Sequence, residues 1–378
     1  MEVESIEAIP LSYTLDGGRE YGSSRNTIPT RTATLVRVET TDGIIGWGEA
    51  FGPPKTNAAL LEEVVSDFVI GIDPYDVQSL FERVYGRLYH LGYGGILACV
   101  LSAVDIALWD VIGKSVGRPV GEILGARRRD AVTPYASTLY ITNWEQDCES
   151  SIEAVVDEGF NAVKIKIGRG VDDDRARVEA TREALGEDGL IMIDFNGNYR
   201  PAQAVQTIRE VSKYNIHWVE EPVPPENAAG YQQIKGKTNV SLAAGEAAYT
   251  RFSFQEILSQ HLVDVIQPDV TKCGGLSEAR LIAEMAMTES IAVSPHCWST
   301  GVGFAAGLQL ASVIPEYPHT SNRPEPVLFE VDRGENELRE ELVEETFSVS
   351  NGRLEIPRKS GLGVTIDRDA LEKYRITE

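Results

Sequence analysis

The chain has 378 residues, too many for one ordinary core, and carries 58 Asp and Glu against 35 Lys and Arg, a net charge of -23. That balance repels nucleic acid and anionic membrane surfaces, which excludes both as expected partners. Among the basic residues Arg outnumbers Lys, and so acidic and Lys-poor a surface suits a high-salt environment, where screening removes self-repulsion.

The start, Met1-Glu2-Val3-Glu4-Ser5, has neither the basic region nor the apolar core of a signal peptide, and no run approaches the ~18 apolar residues of a membrane span. A cytoplasmic protein is expected. Glu2 to Pro10 alternates as a strand, and Thr32 to Thr40 with Ile44 to Glu49 reads as a hairpin across Thr41-Asp42-Gly43. Between them Leu15 to Thr30 is rich in Gly, Arg and Ser and predicts a mobile loop. Helical periodicity follows over Asn57 to Val69, Pro74 to Tyr85 and Ile96 to Ile112, broken by Gly113, Gly117 and Pro119. Strands followed by helices predict a separate α+β capping domain over residues 1–125, to which a polar tail, 346–378, returns. Cys99, Cys148, Cys273 and Cys297 are scattered, without the spacing of a disulfide framework or a thiolate metal site.

From Val132 the pattern changes to a short apolar strand followed by an amphipathic helix, repeated. Strands are expected at Val132–Ser137, Ala162–Ile167, Leu190–Asp194, Ile216–Glu220, Val240–Glu246, Val263–Asp269, Ile291–His296 and Pro326–Glu330. Eight strands favour a closed barrel over a doubly wound open sheet. The fold class expected is α/β, a modified TIM barrel, (β/α)7β, spanning 126–345 beneath the α+β cap.

Barrel active sites lie at the C-terminal ends of the strands. Here those ends carry Lys164 and Lys166, Asp194, Glu220, Glu246, Asp269, His296 and Glu330, where loop-forming residues are the rule. Asp194, Glu220 and Glu246 recur 26 residues apart, the length of a strand and a crossover helix, so parallel neighbours would bring them together. Three converging carboxylates repel one another unless a hard divalent cation binds them, and Mg2+ is expected. Lys164 and Lys166 share one face of their strand, where each raises the cost of protonating the other, so that one can act as a general base near neutral pH. On the sixth strand Asp269 stands beside His296, where it would fix the imidazole tautomer and raise its basicity. Gly301-Val302-Gly303-Phe304-Ala305-Ala306-Gly307 is not a dinucleotide fingerprint, because it follows the seventh strand with GxGxxxG spacing. Its glycines are expected to let a helix N-terminus approach substrate.

Together, Lys164-Ile165-Lys166, Asp194-Phe195-Asn196, Val219-Glu220-Glu221-Pro222, Gly245-Glu246, Asp269-Val270-Thr271-Lys272-Cys273-Gly274-Gly275 and His296 resemble the mandelate racemase subgroup of the enolase superfamily. Gly46-Trp47-Gly48-Glu49-Ala50, Ala103 to Asp110 with Gly113-Lys114, and Gly361-Leu362-Gly363-Val364 resemble its capping segments. The resemblance implies that Asp194, Glu220 and Glu246 bind Mg2+, with Glu220 preferred over Glu221. It also implies that Lys166 is one base assisted by Lys164, that Asp269 and His296 form the other, that Glu330 orients the substrate carboxylate, and that the chain forms a homo-oligomer. Asp269 replaces the lysine of the muconate-lactonising and dipeptide-epimerase branches. The presumed lid residues Arg19, Tyr21 and Arg25, with Asn196, Asn198, Trp298, Ser299 and Thr300 at the mouth, suit a polyol. A small-molecule carboxylate, a sugar acid, is therefore the expected substrate, dehydrated to a 2-keto-3-deoxy acid; the alternative is a racemase or epimerase of a 2-hydroxy acid.

Overall fold

A computed structural model describes residues 1–15, 20–142, 147–316 and 325–377. Its centre is a barrel of eight parallel strands. In chain order these are Ala131–Thr138, Ala162–Lys166, Leu190–Asp194, Ile216–Glu220, Ser241–Ala244, Val265–Ile266, Ala292–Val293 and Leu328–Asp332. They pair in sequence from first to seventh, and the eighth pairs with the first. Seven barrel helices run from Cys148–Asp157 to Gly301–Val313. The result is the expected (β/α)7β barrel.

The sixth and seventh strands are shorter than the apolar runs that encode them, because Pro268 and Pro295 each remove an N–H that a ladder would need. No ladder joins the seventh strand to the eighth among the described residues. Side chains bridge that seam instead, Ser294 Oγ donating to Leu328 O at 2.9 Å and Cys297 N to Glu330 Oε2 at 3.1 Å. Tyr135, Met192, Trp218, Ala243, Val265 and Leu328 fill the barrel interior, so it is a packed core with chemistry only at its mouth.

The cap is a three-stranded antiparallel sheet, Val3–Thr14, Thr30–Thr40 and Ile45–Ala50, packed on the helix Gly95–Ser115. A Cβ on Gly48 would lie 1.9 Å from Ala103 O, so only glycine lets the hairpin approach the helix this closely. That helix is long and apolar enough to cross a membrane, but 89% of its most apolar window is buried within the protein. It packs against both halves of the chain. Asp110 accepts from Trp47 N at 2.9 Å and Leu362 N at 2.8 Å, while Ser102 Oγ accepts from Gly274 N at 2.8 Å in the loop after the sixth barrel strand.

The tail divides its contacts. Arg353–Glu355 adds antiparallel to the first barrel strand, and the helix Arg368–Tyr374 packs on the first cap strand. The segment expected to be a mobile loop is docked where it is described. Tyr21–Gly22 pairs with Thr27–Ile28, and Ser24 Oγ donates to Phe195 O at 2.7 Å. Arg19 lies outside the described residues.

Candidate active site

Parallel pairing in register places Lys166 beside Asp194 and Asp194 beside Glu220, so the strand ends meet at one height. Ligand oxygens of Asp194, Glu220 and Glu246 lie within 4.8 Å of one another. Asp194 and Glu220 are fully buried, and Glu246 Oε2 is a buried oxygen with no hydrogen-bond partner. Three hard oxygen donors with a spare lone pair fit a hard divalent cation and offer nothing to a soft one. Glu221 does not join them. It takes a positive φ of 37° and lines a separate cavity.

Lys166 Nζ donates to Asp194 Oδ2, and Lys164 Nζ reaches Glu220 Oε1 at 2.6 Å and Glu330 Oε1 at 2.8 Å. The expected mutual suppression of the two lysines is not what their surroundings produce. Burial pulls both down, but Glu220 and Glu330 carry Lys164 well above the usual lysine range, and Asp194 raises Lys166. The carboxylates bear the counterpart of this crowding: burial pushes Glu220 up to about 7, with Lys164 opposing and Asp194 and Glu246 reinforcing the rise.

On the other flank His296 Nδ1 sits 2.7 Å from Asp269 Oδ2, and its Nε2 faces Glu246 Oε2 at 3.4 Å. Burial would raise Asp269, but the hydrogen bond from His296 and the charge of Lys272 hold it low, so it stays a carboxylate and accepts from Nδ1–H. Burial lowers His296, and Glu246 and Glu330 reverse that and raise it. Lys166 thus touches the acid at one end of the trio and His296 the acid at the other.

A cavity of about 270 Å3 opens above, with Lys166, Glu246, His296 and Trp298 on the barrel side and Tyr21, Arg31 and Glu49 on the cap side. Tyr21 and Asn196 lie on its wall as expected, and a buried Oδ1 of Asn196 has no partner. Three other expectations are corrected. Arg25 turns away from the cavity, donating to Asn196 O and, at 2.8 Å, to Gly197 O, so it fastens the lid to the barrel instead of meeting substrate. Asn198 does the same, donating to Ser24 O and Gly168 O at 3.3 Å. Glu330 is fully buried against Lys164 and Cys297 N, with His296 Nε2 3.9 Å away, and is not among the residues lining the cavity.

The glycine-rich helix is also occupied from within the chain. Glu49 reaches across from the cap and accepts from Thr300 N at 2.9 Å, Thr300 Oγ1 at 2.5 Å and Gly303 N at 2.8 Å. A Cβ on Gly303 would lie 2.8 Å from Glu49 Oε2, so the glycine admits the cap carboxylate rather than substrate. Sequence reasoning missed this docking, although Glu49 stands in the quoted Gly46–Ala50 segment. Glu49→Gln keeps one acceptor but turns an NH2 toward N–H donors, and should cost about 1–3 kcal/mol, read as a melting point lowered by several degrees. Lys272, 4.0 Å over the Phe51 ring and 3.2 Å from Glu246 O, was likewise missed as a cavity cation.

Residues 19–125 match the model of the mandelate racemase / muconate lactonizing enzyme N-terminal domain, and residues 147–370 match that of the enolase C-terminal domain-like family. The chain belongs to the mandelate racemase / muconate lactonizing enzyme family. Among relatives in this family, D-galactarolactone cycloisomerase of Agrobacterium fabrum is 35% identical over 100% of both chains. Arabinonate dehydratase of Saccharolobus solfataricus is 30% identical over 90% of each. In structure, the 3,6-anhydro-D-galactonate cycloisomerase of Zobellia galactanivorans superposes with a TM-score of 0.89 at 31% identity, covering 100% of both chains.

Proposed function

We propose that this chain removes the proton α to a sugar-acid carboxylate and then expels the β-oxygen, giving a 2-keto-3-deoxy acid. The observation that carries this reading is the placement of Lys166 and the Asp269–His296 pair at opposite ends of the three-acid cluster. Asp194, Glu220 and Glu246 would hold Mg2+, which, bound to the substrate carboxylate, supplies the positive charge that makes the α-proton acidic enough to remove.

The residues divide the remaining work. Lys166 and His296 address the reacting carbon from the two sides, one taking the α-proton as a base. His296 delivers a proton to the departing β-oxygen. Asp269 fixes the ring so that Nε2 faces the cavity. Lys164 holds Glu220 and Glu330 in place. In dehydration the C3–O bond breaks, hydroxide leaves as water with the proton from His296, and the enol tautomerises to the ketone.

A second reading is favoured by the two full-length matches to cycloisomerases. There the β-oxygen is a ring oxygen of a lactone or anhydro sugar acid, the same C–O bond breaks, and no water is lost. Assaying aldonic acids, aldaric acids and their lactones for keto-acid formation with Mg2+ tests both. Product 18 Da lighter than substrate marks dehydration, and product of unchanged mass marks ring opening. No keto acid from any of them would overturn both readings.

Metal binding is testable without turnover. A cation at 100 times its dissociation constant stabilises the folded state by about 2.7 kcal/mol. Mg2+ added to EDTA-treated protein should therefore raise the melting temperature by several degrees. Asp194→Asn should abolish that rise.

A further inference from the structure

One basic side chain on the cavity wall has no part in the chemistry above. Arg31 opens the second cap strand and is only 5% exposed. Its guanidinium lies over Tyr21, with Cζ 3.8 Å from the ring centre and 5.0 Å from that of Trp298. These rings hold the cation at the cavity wall. Nε donates to Glu335 O at 3.0 Å. Nη2 forms an ion pair with Asp332 Oδ2 at 2.9 Å. Among the described residues no acceptor meets Nη1.

Asp332 is heavily shared. It accepts from Gly334 N at 2.8 Å and from the Tyr140 hydroxyl, and it faces a second guanidinium, Arg339, at 3.2 Å. One buried carboxylate thus balances two buried arginines, and the other acid on Arg339, Glu340, is 56% exposed. Nη1 keeps donors to spare on a side chain that lines the cavity, and an Arg fork is shaped for two carboxylate oxygens. Lys166 Nζ lies 5.3 Å from the same Trp298 ring. Lys166 and Arg31 thus both lie near this indole on the wall of one cavity, close enough for a single small substrate to meet both.

We infer that Arg31 is a specificity-determining residue that binds the substrate end remote from the reacting carbon, and that this end is a carboxyl group. It would be the free carboxylate of an aldaric acid, or the lactone carbonyl that becomes a carboxylate once the ring C–O bond breaks. The terminal CH2OH of an aldonic acid offers the guanidinium no second charge beside the Asp332 carboxylate that Arg31 shares with Arg339. The inference rests on the reaction proposed above and narrows its substrate.

The test compares the full-length protein with Mg2+ on a hexaric acid, its 1,4-lactone and the hexonic acid of matching configuration. Wild type should favour the diacid or lactone by about tenfold or more in kcat/KM, and the favoured one of the two identifies the carboxyl source. Arg31→Gln should bring that preference close to one, with the loss falling on KM, and Arg31→Lys should keep part of it. A wild type indifferent to the distal group, or an Arg31→Gln variant that loses activity on all three compounds in proportion, overturns the inference. If Arg31→Gln does not fold, competition in wild type decides. Hexanedioate should inhibit at about a tenth of the concentration needed for its monoamide, and equal inhibition rejects the role. Lack of turnover on every compound alongside that tenfold difference would reject the reaction and leave the distal carboxyl site standing.

Discussion

Lys166→Ala and His296→Asn each reduce turnover by about a thousandfold or more, the scale on which a positioned acid or base contributes to a proton transfer. Both side chains sit at the cavity wall and neither belongs to the apolar packing, so circular dichroism should show a folded protein in each case. The two variants should differ in what survives. Whichever group meets the α-hydrogen is needed for exchange of that hydrogen with solvent, so its loss stops both exchange and product. Loss of the other stops product while exchange continues. Turnover persisting in both variants would remove these residues from the chemistry, and exchange persisting in both would show that neither is the base.

Glu220→Gln carries the second large effect, and its sign on stability is opposite to its sign on activity. Activity should fall by at least about a thousandfold, and the Mg2+-dependent melting shift should vanish, because one of the three charges proposed to hold the cation is gone. Without metal, Glu220 is a carboxylate crowded by burial, Asp194 and Glu246, and its carboxyl is raised to about 7. A carboxyl raised in the folded state stabilises fully below its unfolded value, and that contribution is lost as pH rises through the folded value. Between about pH 4.5 and 7, therefore, EDTA-treated wild type should lose stability relative to Glu220→Gln. At pH 8 the variant should melt as high as wild type or higher. A variant markedly less stable at pH 8 would show that the pairing with Lys164 outweighs the repulsion among the acids.

The parts of the site legible in the sequence were those set by strand geometry. Asp194, Glu220 and Glu246 could be grouped because parallel strands in register put equally spaced residues at one height, and the ladders joining Lys166 to Asp194 and Asp194 to Glu220 do so. What spacing could not convey was the balance of charge around each group. Two lysines on one strand face repel when taken alone, yet here Glu220, Glu330 and Asp194 surround them and reverse the effect. Contacts between distant segments were also hidden. Nothing local says that Glu49 caps a helix that begins 252 residues later, at Gly301, or that Arg25 spends its donors on backbone carbonyls. The polar lid was read as substrate-facing because polar loops usually are exposed; part of that polarity instead fastens the cap to the barrel.

The stability cost of this arrangement is itself informative. Four acids and two lysines are gathered in the barrel mouth, and Glu246 keeps an oxygen without a hydrogen bond. A structure selected for stability alone would place apolar residues there, as it does one layer below with Met192, Trp218 and Leu328.

Incubating the purified protein with Mg2+ and an accepted sugar acid in D2O tests the central claim most directly. Loss of the α-hydrogen as the rate-determining or an earlier step predicts a keto acid deuterated at the C3 position created by elimination, with a primary isotope effect or exchange when the substrate carries deuterium at the α-carbon. Keto acid without solvent deuterium at C3, the α-hydrogen having moved there directly, or turnover undiminished by EDTA, would contradict an account in which three carboxylates, an amine and an imidazole are assembled to break that C–H bond.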